Sequence, residues 1–350
     1  MYQEFKGIEI KAIATCVPKN KIGNDFFGGL LTPKEIRIFE KTVGIIERRW
    51  AEDKVTASDL GYEAAMNLLN NHEIDKEEID CLIFLSQTPD FKIPFTSNIL
   101  QDRLGLKRNI LCLDINAGCA GFIQGLSTCY SIAKSLKKGK VLFIVAETLS
   151  KIVSSKDRGT SMLFGDGAAA ILIENTENLD SNAFFNFYSD GANADAIKIP
   201  DGGYRNGITT ESFLLVEDEK LNLKSRLHLA MDGPKVFDFT LREIAVSIEE
   251  LLEQSKVSKD TIDYFMLHQS NQFIIKQIAA QLNVLPERMP LNISEFGNTS
   301  GVSIPLLISS HTEKLMNYKT LLLSGYGVGL NWANCILERT NFNNIEKVEI

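Results

Sequence analysis

No uncharged apolar run in this sequence approaches the ~20 residues needed to span a bilayer. The opening stretch, MYQEFKGIEIKAIATCVPK, carries charges through the place where a signal peptide needs its apolar core. A soluble cytoplasmic protein without a membrane partner is therefore expected. Basic residues are in deficit: 37 Lys+Arg stand against 45 Asp+Glu, for a formal charge of −8. No overall positive field exists to draw in nucleic acid or anionic lipid, and an acidic partner must find a local basic patch. The six cysteines (Cys16, Cys81, Cys112, Cys119, Cys129 and Cys335) include no C-x-x-C pair, which removes zinc knuckles and disulfide frameworks. Only four histidines are present. They have no ligand spacing with cysteines or acids, so no metal is expected. Each cysteine is expected as a free thiol, most of them serving as small buried apolar residues.

What is present is enough for one large core or two fused domains: 350 residues, 44% of them hydrophobic. Strand-like runs occur at CLIFL (81–85), NILCLDI (109–115), KVLFIVA (140–146), AAAILIE (168–174), YFMLH (264–268), TLLLSG (320–325) and ANCILE (333–338). Segments with helical spacing lie between them, among them ASDLGYEAAMNLLNNH and VFDFTLREIAVSIEELLEQS. The alternation predicts α/β architecture with buried sheets. The halves echo each other. LLNNHEIDKEEIDCLIFLSQ resembles LLEQSKVSKDTIDYFMLHQS, LGLKRNILCLDINAGCAG lines up with LNVLPERMPLNISEFGNTSG, and KVLFIVAE with KTLLLSGY. Shared order and spacing favour a duplicated unit, 1–178 and 179–350, around a pseudo-twofold axis.

The echo sets Cys119 opposite Asn298, each just after a glycine and, as predicted, at a turn between a strand and a helix. His268 ends a third strand, so three polar groups sit at strand ends, where α/β folds place their sites. A helix beginning at Cys119 would direct unsatisfied amides and a positive dipole end at the sulfur, lowering the thiol pKa. Gly118 and Gly121 would leave the approach uncrowded for a thioester carbonyl. An imidazole at His268 can take a proton from a thiol or donate to an oxyanion. The Asn298 amide can share that oxyanion, and an uncharged donor pair suits an enolate. Singly, each has an ordinary explanation: a packing thiol, a satisfied core histidine, a turn. Together, in this order, they point to a site.

GCAGF, LHQSN, FGNTSGVSIP, DRGTSMLFGDGAAAIL and SGYGVGLNW, with VGIIERR near the amino terminus, resemble the thiolase superfamily and within it β-ketoacyl-acyl-carrier-protein synthase III. The resemblance covers nearly the whole chain. It implies a five-layered αβαβα subunit of two pseudo-symmetric halves, forming a homodimer. It implies that Cys119 is acylated by a primer from acyl-coenzyme A or an acyl-carrier protein, with no permanently bound cofactor. His268 and Asn298 would then assist decarboxylation of a malonyl thioester such as malonyl-ACP. The product is a β-ketoacyl thioester, in fatty-acid initiation or a specialised lipid or polyketide-like pathway. The oxyanion hole falls to the backbone N–H of Cys119 and of Val328. Gly327 and Gly329 in the same turn, Arg158 near the nucleotide, and Ile93 and Phe95 at the acyl pocket are the implied substrate contacts.

Some positions depart from the family. The tryptophan and arginine that sandwich adenine fall on Ile38 and Thr42, so coenzyme A recognition is altered. The carrier-docking cations fall on Asp238 and Phe273, which leaves Lys235, Arg242 and Lys276 to serve. The aromatic that caps the acyl pocket from the neighbouring subunit is Ile93, a smaller wall. GYGVG is followed by strand-like WANCILE instead of a helix, which removes a dinucleotide site. His72 and His311 are expected at the surface, and His228 has no assigned role. Two rivals stand beside condensation: an acyltransferase that passes the acyl group to an alcohol or amine, and a non-catalytic subunit of a heterodimer.

Overall fold

Continuous apolar runs become strands covered on both faces, because each fully buried Leu or Ile contributes about 1.5–3 kcal/mol that an open sheet face would forfeit. The computed structural model describes residues 1–72, 74–176, 178–219, 222–312, 320–338 and 345–350. The first part of the chain supplies strands β1 (Tyr2–Lys6) and β2 (Ile8–Val17), helices α1 (Pro33–Thr42) and α2 (Ala57–Asn71), and strand β3 (Ile79–Leu85). Helix α3 (Thr96–Arg103), strand β4 (Leu111–Ile115), helix α4 (Gly121–Ser135) and strands β5 (Lys140–Glu147), β6 (Gly167–Asn175) and β7 (Asn182–Ser189) follow. Then come α5 (Gly233–Ser255), β8 (Tyr264–Leu267), α6 (Gln272–Leu282), α7 (Ile293–Phe296), α8 (Ser303–Ser310), β9 (Thr320–Gly327), β10 (Asn331–Glu338) and β11 (Ile345–Glu349). Every strand-like run read from the sequence is a strand here.

One sheet has the order β11-β2-β6-β5-β3-β4 and the other β1-β7-β10-β9-β8. Their inner pairings match: β3 runs parallel to β5 as β8 does to β9, and the next two pairs are antiparallel in both sheets. Helix α2 covers the outer face of the first sheet, and α5 that of the second with α6 beside it. Helices α4 and α8 lie between the sheets and touch both. The result is the five-layered αβαβα arrangement of two pseudo-symmetric halves.

Placement between two sheets explains the composition of α4. Phe122, Ile123, Leu126, Cys129, Tyr130 and Ala133 are all buried, because there is no solvent side of consequence. Helix α2, with one sheet beneath it, buries Leu60, Ala64, Leu68 and Leu69 at helical spacing and leaves its far side partly open. Helix α1 starts at a capping box of Thr32 and Glu35 with Pro33 in its first turn.

The echo between halves is incomplete at one place. The chain that corresponds to β4 forms no strand; residues 289–292 run irregularly into α7. Asn298 therefore lies between α7 and α8, and not between a strand and a helix as the sequence predicted. The boundary we propose at 178/179 falls in the connection from β6 to β7, and the two ends of the chain cross it: β1 joins the second sheet and β11 the first. No helix among the described residues is long and apolar enough to cross a membrane.

Candidate active site

Strand β4 ends at Ile115 and α4 begins at Gly121, so Cys119 lies two residues ahead of the helix, with Ala120 as its cap. The sequence predicted a helix starting at the cysteine and a lowered thiol pKa. The opposite holds: burial pushes the Cys119 thiol above its ordinary value. Hydrogen bonds to the sulfur from the Ser300 hydroxyl and from the main-chain N–H of Val328 and of Cys119 itself offset this in part, while the Glu147 carboxyl adds to it. The helix dipole acts within the first turn, and the sulfur lies ahead of that turn in a pocket of low polarity.

The glycines divide the work differently from the sequence reading. A Cβ at Gly118 would collide with Gln87 and the Val328 side chain, and one at Gly121 would press on Leu85 and Ala117, so these two allow close packing. It is Gly327 that leaves the sulfur uncrowded: a Cβ there would stand 2.7 Å from Cys119 Sγ. This is also what lets the Val328 amide reach the sulfur.

His268 follows β8 and is buried. Its Nδ1 lies 2.7 Å from Ser303 Oγ at the start of α8, and its ring meets Tyr326 edge-on at 5.4 Å. Burial pulls its pKa down to about 3, with a hydrogen bond to the main chain of Ser300 acting weakly the other way. The imidazole is therefore neutral at physiological pH. Asn298, after Gly297 at φ +64°, is held by its main chain: its N–H donates to Leu163 O at 2.8 Å and its carbonyl accepts from Gly165 N–H at 3.0 Å. Its Oδ1 accepts the Ser300 N–H at 2.9 Å, which leaves the amide nitrogen as its remaining donor.

Cys119, Asn298, Ser300, Tyr326, Gly327 and Val328 line one cavity of about 370 Å³, whose other walls include Leu149, Ile152, Phe164, Leu229, Met231 and Phe237. His268 stands directly behind this lining, packed against Tyr326 and hydrogen-bonded to the main chain of Ser300, both of which form part of it. Such a lining, apolar with a few convergent polar groups, suits an acyl chain with a reactive carbonyl at one end. Beside it the Glu147 carboxyl, pushed up to about 7 by burial, accepts from Ser86, Thr88 and the N–H of Gln87, and so anchors the Gln87 stretch of the wall. The sequence reading missed Gln87, Ser300, Ser303 and Tyr326. Ser300, Ser303 and Tyr326 lie inside motifs it quoted, so proximity to Asn298, His268 and Gly327 was the available signal.

Other predicted contacts lie elsewhere. Ile93 and Phe95 are 80% and 49% exposed and do not line this cavity, nor does Gly329. Arg158 is paired with Glu35 of α1, on the same helix as the exposed Ile38 and Thr42. Of the candidate docking cations, Lys235 faces Asp232 at 3.6 Å and Arg242 faces Asp238 at 2.8 Å, so both are partly neutralised. His72 is partly buried, 3.7 Å from Glu346, and His311 is partly buried against Leu307 O, where the surface was expected. His228 binds Ser225.

The thiol's position has a direct consequence. Alkylation of Cys119 by iodoacetamide is expected to accelerate about tenfold per pH unit between about pH 7 and 9, because the thiolate fraction is still growing there. No inflection near the ordinary histidine pKa is expected, since His268 stays neutral throughout. A plateau reached below about pH 8 would contradict the raised thiol.

Comparison with known proteins agrees with this geometry. Residues 113–191 match the family described as 3-oxoacyl-[acyl-carrier-protein (ACP)] synthase III, and residues 252–339 match its C-terminal part. The beta-ketoacyl-[acyl-carrier-protein] synthase III of Streptococcus gordonii is 35% identical over 337 residues, covering 95% of this chain and 99% of that one. The enzyme of the same name from Acholeplasma laidlawii is 34% identical over 95% of this chain and 99% of its own. The crystal structure of 3-oxoacyl-(acyl-carrier protein) synthase from Burkholderia xenovorans superposes with a TM-score of 0.93 at 35% identity, covering 100% of this chain and 99% of that one. Similar to these proteins in sequence along almost its full length, and in fold along all of it, the chain belongs to the 3-oxoacyl-[acyl-carrier-protein] synthase III family.

Proposed function

We propose that this protein is an acyltransferase that carries out a decarboxylating Claisen condensation, joining a Cys119-bound acyl primer to a malonyl thioester. The observation that carries the reading is the convergence of a thiol, an amide and two main-chain N–H groups on one apolar cavity, with a neutral imidazole beside it.

The thiolate of Cys119 attacks the primer carbonyl, and the oxyanion takes hydrogen bonds from the N–H groups of Cys119 and Val328, both already directed at the sulfur. The leaving thiolate takes the proton that Cys119 gave up. A malonyl thioester then enters and loses carbon dioxide; the electron pair of the broken C–C bond becomes an enolate. Its oxygen accepts from His268 and from the Asn298 amide nitrogen. Neutral donors matter here, because a charged imidazolium would be ready to protonate the carbon that must attack. That carbon attacks the acyl-Cys119 carbonyl, the C–S bond breaks, and the thiolate is released with the β-ketoacyl thioester.

The acyl group arrives on coenzyme A or a carrier protein, and the malonyl group on a carrier protein. Pairing of Arg158 with Glu35, and Ile38 and Thr42 on the adjoining helix, weigh against strong nucleotide recognition. The working form is a cytoplasmic homodimer. Phe91, Ile93 and Phe95 are large, exposed and close together, and a second copy would cover them and bring Ile93 and Phe95 to its own acyl pocket. Fatty-acid initiation or a specialised lipid pathway would use such a product.

The reading is tested by incubating the protein with a panel of acyl-coenzyme A and acyl-carrier thioesters, with and without malonyl-carrier protein. Carbon dioxide release and a β-ketoacyl product that both require malonyl thioester support it. Acyl transfer to an alcohol or amine without malonyl thioester would replace it with the acyltransferase rival.

A further inference from the structure

Ser300 touches all three groups assigned to the reaction. Its hydroxyl donates to Cys119 Sγ at 3.6 Å, its N–H donates to Asn298 Oδ1 at 2.9 Å, and its main chain hydrogen-bonds the His268 imidazole. It also lines the cavity. Its backbone sits at φ +50°, a left-handed conformation that costs a residue with a Cβ and persists only where surroundings impose it. The neighbouring Gly301 explains part of that constraint: a Cβ there would crowd Gly118 O, at 3.2 Å, so this turn packs directly on the residue before the nucleophile.

We infer that Ser300 is a catalytic residue whose hydroxyl holds the Cys119 sulfur as it becomes anionic, while its strained main chain orients Asn298 and His268 for the second substrate. Each part follows from chemistry already described. Burial disfavours the thiolate, and the hydroxyl is the largest single group opposing that effect. The proton leaving Cys119 still ends on the departing thiol; the hydroxyl keeps its own proton and contributes only a hydrogen bond. The N–H of Ser300 occupies Asn298 Oδ1, so the donor end of that amide is the one left for an enolate. The second part of the inference rests on the condensation proposed above; the first does not.

Two variants separate the hydroxyl from the backbone. Ser300→Ala removes the hydroxyl and keeps the strain; Ser300→Gly removes the hydroxyl and adopts φ +50° freely. The pH profile of Cys119 alkylation by iodoacetamide should shift up by about one unit in both, with alkylation near pH 8 slowed about tenfold. Malonyl decarboxylation by enzyme already acylated should be largely kept in Ser300→Ala, whose constrained main chain still holds Asn298, and reduced in Ser300→Gly, whose freed backbone no longer fixes that N–H on the amide. An alkylation profile unchanged in both folded variants overturns the role of the hydroxyl. Equal decarboxylation in the two, at the wild-type level, overturns the role of the backbone. If the alkylation shift occurs but the wild-type protein condenses no thioester, the hydroxyl's role stands and the proposed function is what has failed.

Discussion

Cys119→Ala is expected to take up no acyl group from any thioester donor and to lose condensation by a factor on the order of 10⁴ or more, as removal of a covalent nucleophile does elsewhere. The fold should survive. Cys119 lies in a turn ahead of α4, and the sulfur's contacts are hydrogen bonds to Ser300 and to main-chain N–H groups that would then face a cavity already present. Intact-protein mass spectrometry after incubation with acyl-coenzyme A and acyl-carrier thioesters reads the result directly. The wild-type protein should gain the mass of one acyl group and the variant none. Equal labelling of wild type and variant would place the acyl group on another residue and remove Cys119 from the mechanism. The other thiols are poor substitutes: Cys16, Cys81, Cys129 and Cys335 are buried in the sheets or in α4, Cys112 is half-buried in β4, and burial raises the pKa of each.

Loss of either enolate donor should act on the second half of the reaction. His268→Ala and Asn298→Asp are each expected to lower malonyl decarboxylation about 10²–10³-fold, the usual cost of removing one donor from a developing oxyanion. Both should still accept an acyl group from the primer. Asn298→Asp is the sharper variant, because its carboxylate still accepts the Ser300 N–H and so preserves the local turn while replacing the amide donor with a charge that repels an enolate. Carbon dioxide release from malonyl-carrier protein, measured on acylated enzyme, reads the effect without contribution from the first step. Undiminished release in Asn298→Asp would exclude the amide as an enolate donor. For His268 the pH dependence adds a second check. Its pKa of about 3 means that the wild-type decarboxylation rate should show no titration between about pH 5 and 8 attributable to this ring.

Much of this architecture was legible in the chain because it follows from local rules. The strands from Ile79, Lys140, Gly167, Tyr264, Thr320 and Asn331 announce themselves as apolar runs, since a strand buried on both faces has no polar side to interrupt it. The duplicated order of those runs pointed to two halves, and the motif residues Cys119, His268 and Asn298 were visible as chemistry-bearing groups at element ends. Where the echo broke, at the irregular chain 289–292, it broke because pairing with a sheet edge is a tertiary event, and an apolar stretch does not by itself acquire a neighbour.

Electrostatics and contacts were decided by the tertiary structure alone. The sequence placed Cys119 near a helix start and so predicted an acidic thiol. Only the fold shows the sulfur ahead of the first turn and enclosed, where the loss of solvation outweighs its hydrogen bonds. The same enclosure keeps His268 neutral. Which glycine makes room for the sulfur depends on Gly327, 208 positions along the chain from Cys119, approaching it from β9. Ser300 meets Cys119 across 181 positions. Pattern and spacing record what a segment does by itself. The burial that sets a pKa, and the contact between residues far apart in the chain, exist only once the two sheets have closed around the central helices.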